Sequence, residues 1–229
     1  MTRIPVVENI MSANDQIAAE NRARLDAASI YALNVMASPG AGKTSLIEET
    51  VKRLAGRLRL GVIEGDLATS LDAERAEAAG AASVQINTGG NCHLEGWMVR
   101  DALARLPLAD LDLVIVENVG NLVCPSGWAL GTHRHVLVAS VPEGDDKPYK
   151  YPGMYRGVDT LVINKIDLLP YVTFDMDRFR QGVEALNPGL TTFALSCRTG
   201  DGVDAWMAWL LEQVAAYRAL MGTPTEALR

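Results

Sequence analysis

Positive charge is in short supply in this chain: 21 Lys and Arg stand against 28 Asp and Glu, a formal net charge of −7. With a pI near 5.0 and no basic stripe to displace phosphate counterions, an electrostatically driven nucleic-acid binder is excluded, and any anion must be bound locally. Cysteine is equally scarce. Cys92, Cys124 and Cys197 cannot all pair with one another and are too few for a disulfide scaffold, which leaves thiols used as thiols or as metal ligands. No run approaches the roughly 20 apolar residues that a membrane helix requires, and Met1-Thr2-Arg3-Ile4-Pro5 opens no apolar signal core. A soluble, cytoplasmic protein that engages neither membrane nor nucleic acid is expected. Internal repeats, low-complexity tracts and Pro/Gly/Ser-rich linkers are also missing. A chain of 229 residues with 48% hydrophobic content therefore predicts a single domain over 1–229.

What the chain does have is a regular alternation of short apolar runs and helix-like segments. After a leader, Glu8 to Ala28 carries Ile10, Ile17, Ala18 and Leu25 near helical spacing, predicting one or two amphipathic helices in an N-terminal extension of about residues 1–30. Then come Tyr31 to Met36, Leu60 to Ile63, Ser83 to Ile86, Leu113 to Val116, Val136 to Val141, Leu161 to Ile163 and Thr192 to Leu195. These runs lack polar alternation, as strands covered on both faces do. The fold class expected is α/β: a doubly wound, mostly parallel sheet flanked by helices, with binding residues at the C-terminal strand ends. The tail from Gly222 to Arg229 is expected to fray.

Ala37 to Thr44 reads ASPGAGKT, directly after the first apolar run and before a helix-compatible stretch beginning at Ser45. This is a phosphate-binding loop in which Ala37 replaces the usual first glycine. Gly40, Ala41 and Gly42 let backbone N–H groups curl around the anion, Lys43 can reach the β/γ-phosphates, and the Thr44 hydroxyl can ligate Mg²⁺. A second signal names the base. Asn164-Lys165-Ile166-Asp167 leaves a buried strand and resembles the N-K-x-D guanine-specificity motif of P-loop GTPases. Asp167 can accept from both N1–H and the exocyclic amine of guanine, whereas adenine would leave the carboxylate facing an acceptor, at about 1–3 kcal/mol per mispaired group. GTP is thus preferred over ATP. By the same resemblance Asn164 braces the loops, Lys165 lies over the base, and Ser196-Cys197-Arg198 presents backbone N–H to the guanine oxygen.

Glu64-Gly65-Asp66 and Glu117-Asn118-Val119-Gly120 end two strands and bring carboxylates toward the phosphates. Hard oxygen suits Mg²⁺, so Thr44 is assigned as a direct ligand and Asp66 and Glu117 as direct or water-mediated ones. Gly120 is placed to sense the γ-phosphate through its N–H. Asp66 to Arg75 reads as a loop that reorganises on hydrolysis, with Asp72 orienting the attacking water. The catalytic set is Lys43, Asp66, Asp72 and Glu117.

Cys92-His93 follows the turn Thr88-Gly89-Gly90-Asn91, and Cys124-Pro125 lies beyond the Glu117 strand end. Two thiolates and an imidazole suit Zn²⁺ or Ni²⁺, and three ligands leave a coordination position open or invite completion by a partner subunit or water, as a transfer or sensing site needs. His133 and His135 form a second pair that reads as a surface feature, since no third ligand accompanies it.

With these residues in view, the strings Glu8-Asn9-Ile10-Met11-Ser12-Ala13-Asn14-Asp15, Gly90-Asn91-Cys92-His93-Leu94, Glu117 to Pro125 (ENVGNLVCP) and Glu143-Gly144-Asp145-Asp146-Lys147-Pro148 closely resemble the HypB family. Those are GTPases that help insert nickel into [NiFe] hydrogenase. The similarity covers nearly the whole chain. It implies a SIMIBI-class GTPase that forms a homodimer when GTP binds, with Cys92, His93 and Cys124 as a nucleotide-coupled Ni²⁺ or Zn²⁺ site near the interface. Lys147 or Lys150 would reach the partner's nucleotide, and the partners implied are hydrogenase maturation proteins and the hydrogenase large subunit. One departure stands out. Met1 to Ala28 contains no Cys and no His, so the nickel-storage tracts of some family members have no counterpart there and strong storage is not expected. Competing readings are a zinc-stabilised GTP-switch adaptor, a relative serving urease or a cobalamin enzyme, and a small-molecule kinase sharing the phosphate loop. Intrinsic hydrolysis is expected to be slow, because no arginine is identifiable as a cis finger.

Overall fold

The computed structural model describes residues 6–66 and 80–222, with side chains for 11–65 and 80–222. Seven strands run β1 (Tyr31–Ala37), β2 (Leu60–Asp66), β3 (Ala82–Asn87), β4 (Leu113–Glu117), β5 (Arg134–Ser140), β6 (Thr160–Asn164) and β7 (Thr191–Ala194). They form one sheet in the order β3-β2-β4-β1-β5-β6-β7, parallel at every pairing. This is the doubly wound α/β arrangement that the apolar runs predict. β2 runs three residues beyond the apolar stretch because Glu64, Gly65 and Asp66 still pair with Gln85, Ile86 and Asn87.

The helices are α1 (Val6–Ala27), α2 (Lys43–Leu54), α3 (Gly96–Leu103), α4 (Lys147–Lys150), α5 (Pro152–Arg156), α6 (Met176–Leu186) and α7 (Val203–Leu220). Every residue of β1 is buried, since both faces of its pleat are covered. Leu33, Val35 and Ala37 join the cluster under α2 and α7, with Leu46, Val51, Trp206 and Leu210. Ala32 faces the other way into the cluster of Leu25, Leu94, Met98 and Leu103, and Met36 into that of Tyr155 and Phe179. On α2 the buried positions Leu46, Ile47, Thr50, Val51 and Leu54 follow helical spacing. Truncating one of these large residues to Ala costs about 2–5 kcal/mol. Among the described residues, no helix is long and apolar enough to cross a membrane.

The N-terminal extension is one continuous helix of 22 residues rather than two. Among its described side chains the buried positions are Asn14, Ala18, Asn21 and Leu25, a four-three-four spacing in which two of the four are amides. The buried face is therefore held by hydrogen bonds as well as by apolar contact. The HRH segment corrects the sequence expectation. His133 is no surface feature: its side chain is 8% exposed, its Nε2 lies 2.9 Å from Asp26 Oδ1, and its Nδ1 accepts from Ala32 N–H at 2.9 Å. Tyr217 OH donates to the same Asp26 oxygen at 2.7 Å, so the histidine knits α1, β1 and α7 together. Period-two spacing gives the shared direction of His133 and His135 but not what covers them.

Candidate nucleotide and metal site

The C-terminal ends of β1, β4 and β6 carry the residues that the sequence motifs assign to the nucleotide. Gly42, at φ 103°, turns the chain out of β1 so that α2 starts at Lys43, and Gly40 is also left-handed at φ 76°. A Cβ at Gly42 would collide with the side-chain amide of Asn164. Asn164 donates through Nδ2 to Ala41 O at 3.1 Å and accepts on Oδ1 from the N–H of Lys165 (2.7 Å) and of Cys197 (3.3 Å). One buried amide thus ties the phosphate loop to both base-side loops. Lys165 Nζ donates to Gly40 O at 2.6 Å. Ser196 Oγ donates to Asp167 Oδ1 at 2.6 Å and accepts from the N–H of Arg198 and Thr199, both at 3.2 Å, which fixes the carboxylate. Burial pushes the Cys197 thiol up to about 11, so it stays protonated and acts as packing.

On the phosphate side Lys43 is 8% exposed, and Ser45 is exposed on the first turn of α2. Thr44 Oγ1 donates to Glu117 Oε1 at 2.7 Å, which places the hydroxyl and a hard carboxylate together as a Mg²⁺ site requires. Glu64 stands in register with Glu117 on the neighbouring strand, and both are buried. Sequence reasoning assigned Asp66; Glu64 is the carboxylate that strand pairing sets beside Glu117. Asp66 closes β2, but its side chain and the whole of Asp72 lie outside the described residues. Gly120 sits directly against the phosphate loop: a Cβ there would be 3.2 Å from Pro39 and 3.4 Å from Lys43 Nζ. Ser38 Oγ donates to Glu143, whose other oxygen accepts from Ser140 N–H at 2.8 Å. The loop beyond carries Lys147 and Lys150, at the two ends of α4, and both pair with Asp146.

The third group is soft. Cys92, His93 and Cys124 bring their donor atoms within 4.8 Å of one another, with Cys92 Sγ 3.5 Å from His93 Nδ1. The two halves are joined by Asn121, which donates to Cys92 O at 3.3 Å and accepts from Val123 N–H at 2.8 Å and Cys124 N–H at 3.4 Å. The His93 ring stacks on Trp128 at 4.6 Å. Hydrogen bonding to Cys124, and then burial, holds the Cys92 thiol above its ordinary value, and burial holds His93 below its own against the pull of Glu95. His93 is thereby neutral and ready to ligate, while a bound cation must displace thiol protons. α1 secures the surroundings. Asn14 accepts from Gly96 N–H at 2.7 Å and donates to Ala129 O at 2.8 Å, bridging the Cys92 and Cys124 segments. Asn21 donates to Gly96 O at 2.8 Å and Leu130 O at 3.1 Å. These two amides escaped sequence reasoning; their spacing on one face with Ala18 and Leu25 was the available clue.

The chain is similar to known proteins along most of its length. A family model described as the CobW/HypB/UreG nucleotide-binding domain matches residues 31–194. The hydrogenase maturation factor HypB of Azotobacter vinelandii is 46% identical over 208 residues, covering 91% of this chain and 69% of that protein. The crystal structure of HypB from Helicobacter pylori in complex with nickel superposes with a TM-score of 0.85 at 37% identity, covering 89% of this chain and 96% of that one. The signal recognition particle 54 kDa protein of Aeropyrum pernix, in complex with GDP, shares the fold at a TM-score of 0.56 and 13% identity, over 85% of this chain and 49% of its own. The chain belongs to the HypB family of hydrogenase maturation factors, and is a SIMIBI-class P-loop GTPase.

Proposed function

We propose that this GTPase is a metallochaperone that assists nickel insertion into [NiFe] hydrogenase, with GTP-dependent dimerisation setting the geometry of the Cys92/His93/Cys124 site. The observation that carries this reading is that cluster of two thiols and an imidazole on the loops that flank the nucleotide elements. Its donor set suits Ni²⁺ or Zn²⁺ and, with three ligands, keeps a position through which the ion can be received and passed on. The nickel complex of the H. pylori relative supports it. Free Cys92, Cys124 and Cys197 fit a reducing, cytoplasmic setting.

On the nucleotide side, Asp167 selects guanine, Asn164 and Lys165 brace the loops, and the N–H groups of Ser196, Cys197 and Arg198 meet the guanine oxygen. Lys43 and the N–H groups of Gly40 to Ser45 hold the phosphates. Thr44, Glu117 and Asp66 would hold Mg²⁺, which when bound neutralises charge on the β/γ-phosphates. Asp72 orients the attacking water. Lys147 or Lys150, released from Asp146, reaches the partner's nucleotide across the dimer. Hydrogenase maturation proteins supply and receive the ion, and the hydrogenase large subunit is its destination.

The test is metal exchange during turnover. Protein loaded with Ni²⁺ or Zn²⁺ is mixed with GTP and a chromophoric chelator, beside a non-hydrolysable analogue. Release that tracks hydrolysis supports delivery. Metal retained through many turnovers makes the ion structural and the protein a GTP-switch adaptor.

A further inference from the structure

Coupling between nucleotide and metal requires a physical joint between two clusters that sit on different loops. We propose that Asn118 is that joint, a positioning residue that holds one backbone amide from each cluster on a single oxygen. The inference deepens the nucleotide-coupled metal reading and rests on it. Asn118 follows Glu117 at the end of β4 and is 1% exposed. Its Oδ1 accepts from Val119 N–H at 2.9 Å and from Leu94 N–H at 3.1 Å. Val119 precedes Gly120, whose Cα faces Pro39 and the Lys43 ammonium. Leu94 follows His93 directly, is fully buried, and packs so closely on Gly65 that a Cβ there would lie 2.8 Å from its side chain.

The rest of the side chain prevents Asn118 from simply swinging away. Its Nδ2 donates to Asn34 Oδ1 at 3.2 Å, Asn34 Nδ2 lies 3.2 Å from His135 Nδ1, and its own backbone N–H donates to Val35 O at 3.0 Å. A displacement of Val119 and Gly120 toward a γ-phosphate therefore has two outcomes. Either Leu94 follows and moves His93, or a buried amide loses its acceptor at about 1–3 kcal/mol. Asn121 has a different part: it joins the two halves of the metal cluster to each other, whereas Asn118 joins the cluster to the nucleotide.

The experiment measures the ratio of Zn²⁺ dissociation constants in GDP-bound and non-hydrolysable-GTP-bound protein, for wild type, Asn118→Ala and Asn118→Asp. The wild-type ratio is expected to differ from unity by about fivefold or more, the scale of ordinary allosteric coupling. In Asn118→Ala it falls to within about twofold of unity, while Asn118→Asp, which keeps the accepting oxygen but loses the Nδ2 anchor on Asn34, falls between Asn118→Ala and wild type. An undiminished ratio in Asn118→Ala overturns the joint but leaves the coupled reading intact. A wild-type ratio of one overturns the reading itself. Should Asn118→Ala fail to fold, residue-resolved amide exchange on wild type decides. Leu94 and Val119 protection shifting together on nucleotide exchange supports the joint, and one shifting without the other overturns it.

Discussion

The guanine selection proposed for Asp167 rests on a chemistry that residue type and local spacing make legible. A carboxylate can accept two hydrogen bonds from guanine, and the fold adds the Ser196 hydroxyl that fixes it. Replacing it with Asn swaps one acceptor for a donor, which mismatches the exocyclic amine of guanine but matches the carbonyl of xanthine. Asp167→Asn should weaken GTP binding by about 10- to 100-fold, as one or two mispaired buried groups cost, and favour XTP. Titration with both nucleotides checks this; unchanged GTP affinity would contradict the assignment. Asn164, Lys43 and Thr44 were singled out for the same reason, since the roles proposed for them follow from residue type and local spacing, and the fold sets them at the C-terminal strand ends. Asn14, Asn21, Asn34 and Asn118 were not assigned, because an asparagine side chain acquires its meaning only from distant partners such as Gly96, Ala129 and Leu94. Within the sequence each reads as an ordinary polar residue.

At the level of elements, α1 is a strut across the loops of the Cys92/His93/Cys124 cluster, and its hold divides into two testable parts. Asn21→Leu removes donors to Gly96 O and Leu130 O and leaves both carbonyls buried, so it should cost about 1–3 kcal/mol in urea unfolding. A change below a few tenths would show that the Asn21 hydrogen bonds add nothing net to the hold on α1. The other end is fastened by His133. Burial holds this imidazole below its ordinary value of 6.5, outweighing the hydrogen bond to Asp26, and His135 is lowered by burial too. The unfolded chain therefore binds protons first. Stability from these groups is complete above pH 6.5 and is lost as pH falls through their lower native values. Thermal midpoints between about pH 5 and 7.5 should fall with acidification, less steeply for His133→Gln; parallel profiles would remove His133 as a source. The strands were legible as apolar runs because both faces are covered. Their ends were less so, because pairing partners such as Asn87 decide where β2 stops.

For the whole molecule, the claim is linkage: if GTP changes dimerisation and the metal cluster, metal must change nucleotide binding or dimerisation in return. The sheet makes this feasible, since β1, β2, β3 and β4 deliver the phosphate loop, the acidic strand ends and both loops of the Cys/His cluster to one edge. That convergence was readable from the alternation of strands and helices. What crosses between protomers was not, because an interface is a property of two surfaces and one chain shows only one. The most direct measurement is Ni²⁺ and Zn²⁺ binding with oligomeric mass recorded in the same samples, for GDP-bound and non-hydrolysable-GTP-bound protein, beside Cys92→Ala/Cys124→Ala. The account predicts a dimer with the analogue, a metal affinity or stoichiometry that changes with nucleotide, and loss of that metal in the double variant. Metal binding that ignores both the nucleotide and the two cysteines would contradict it.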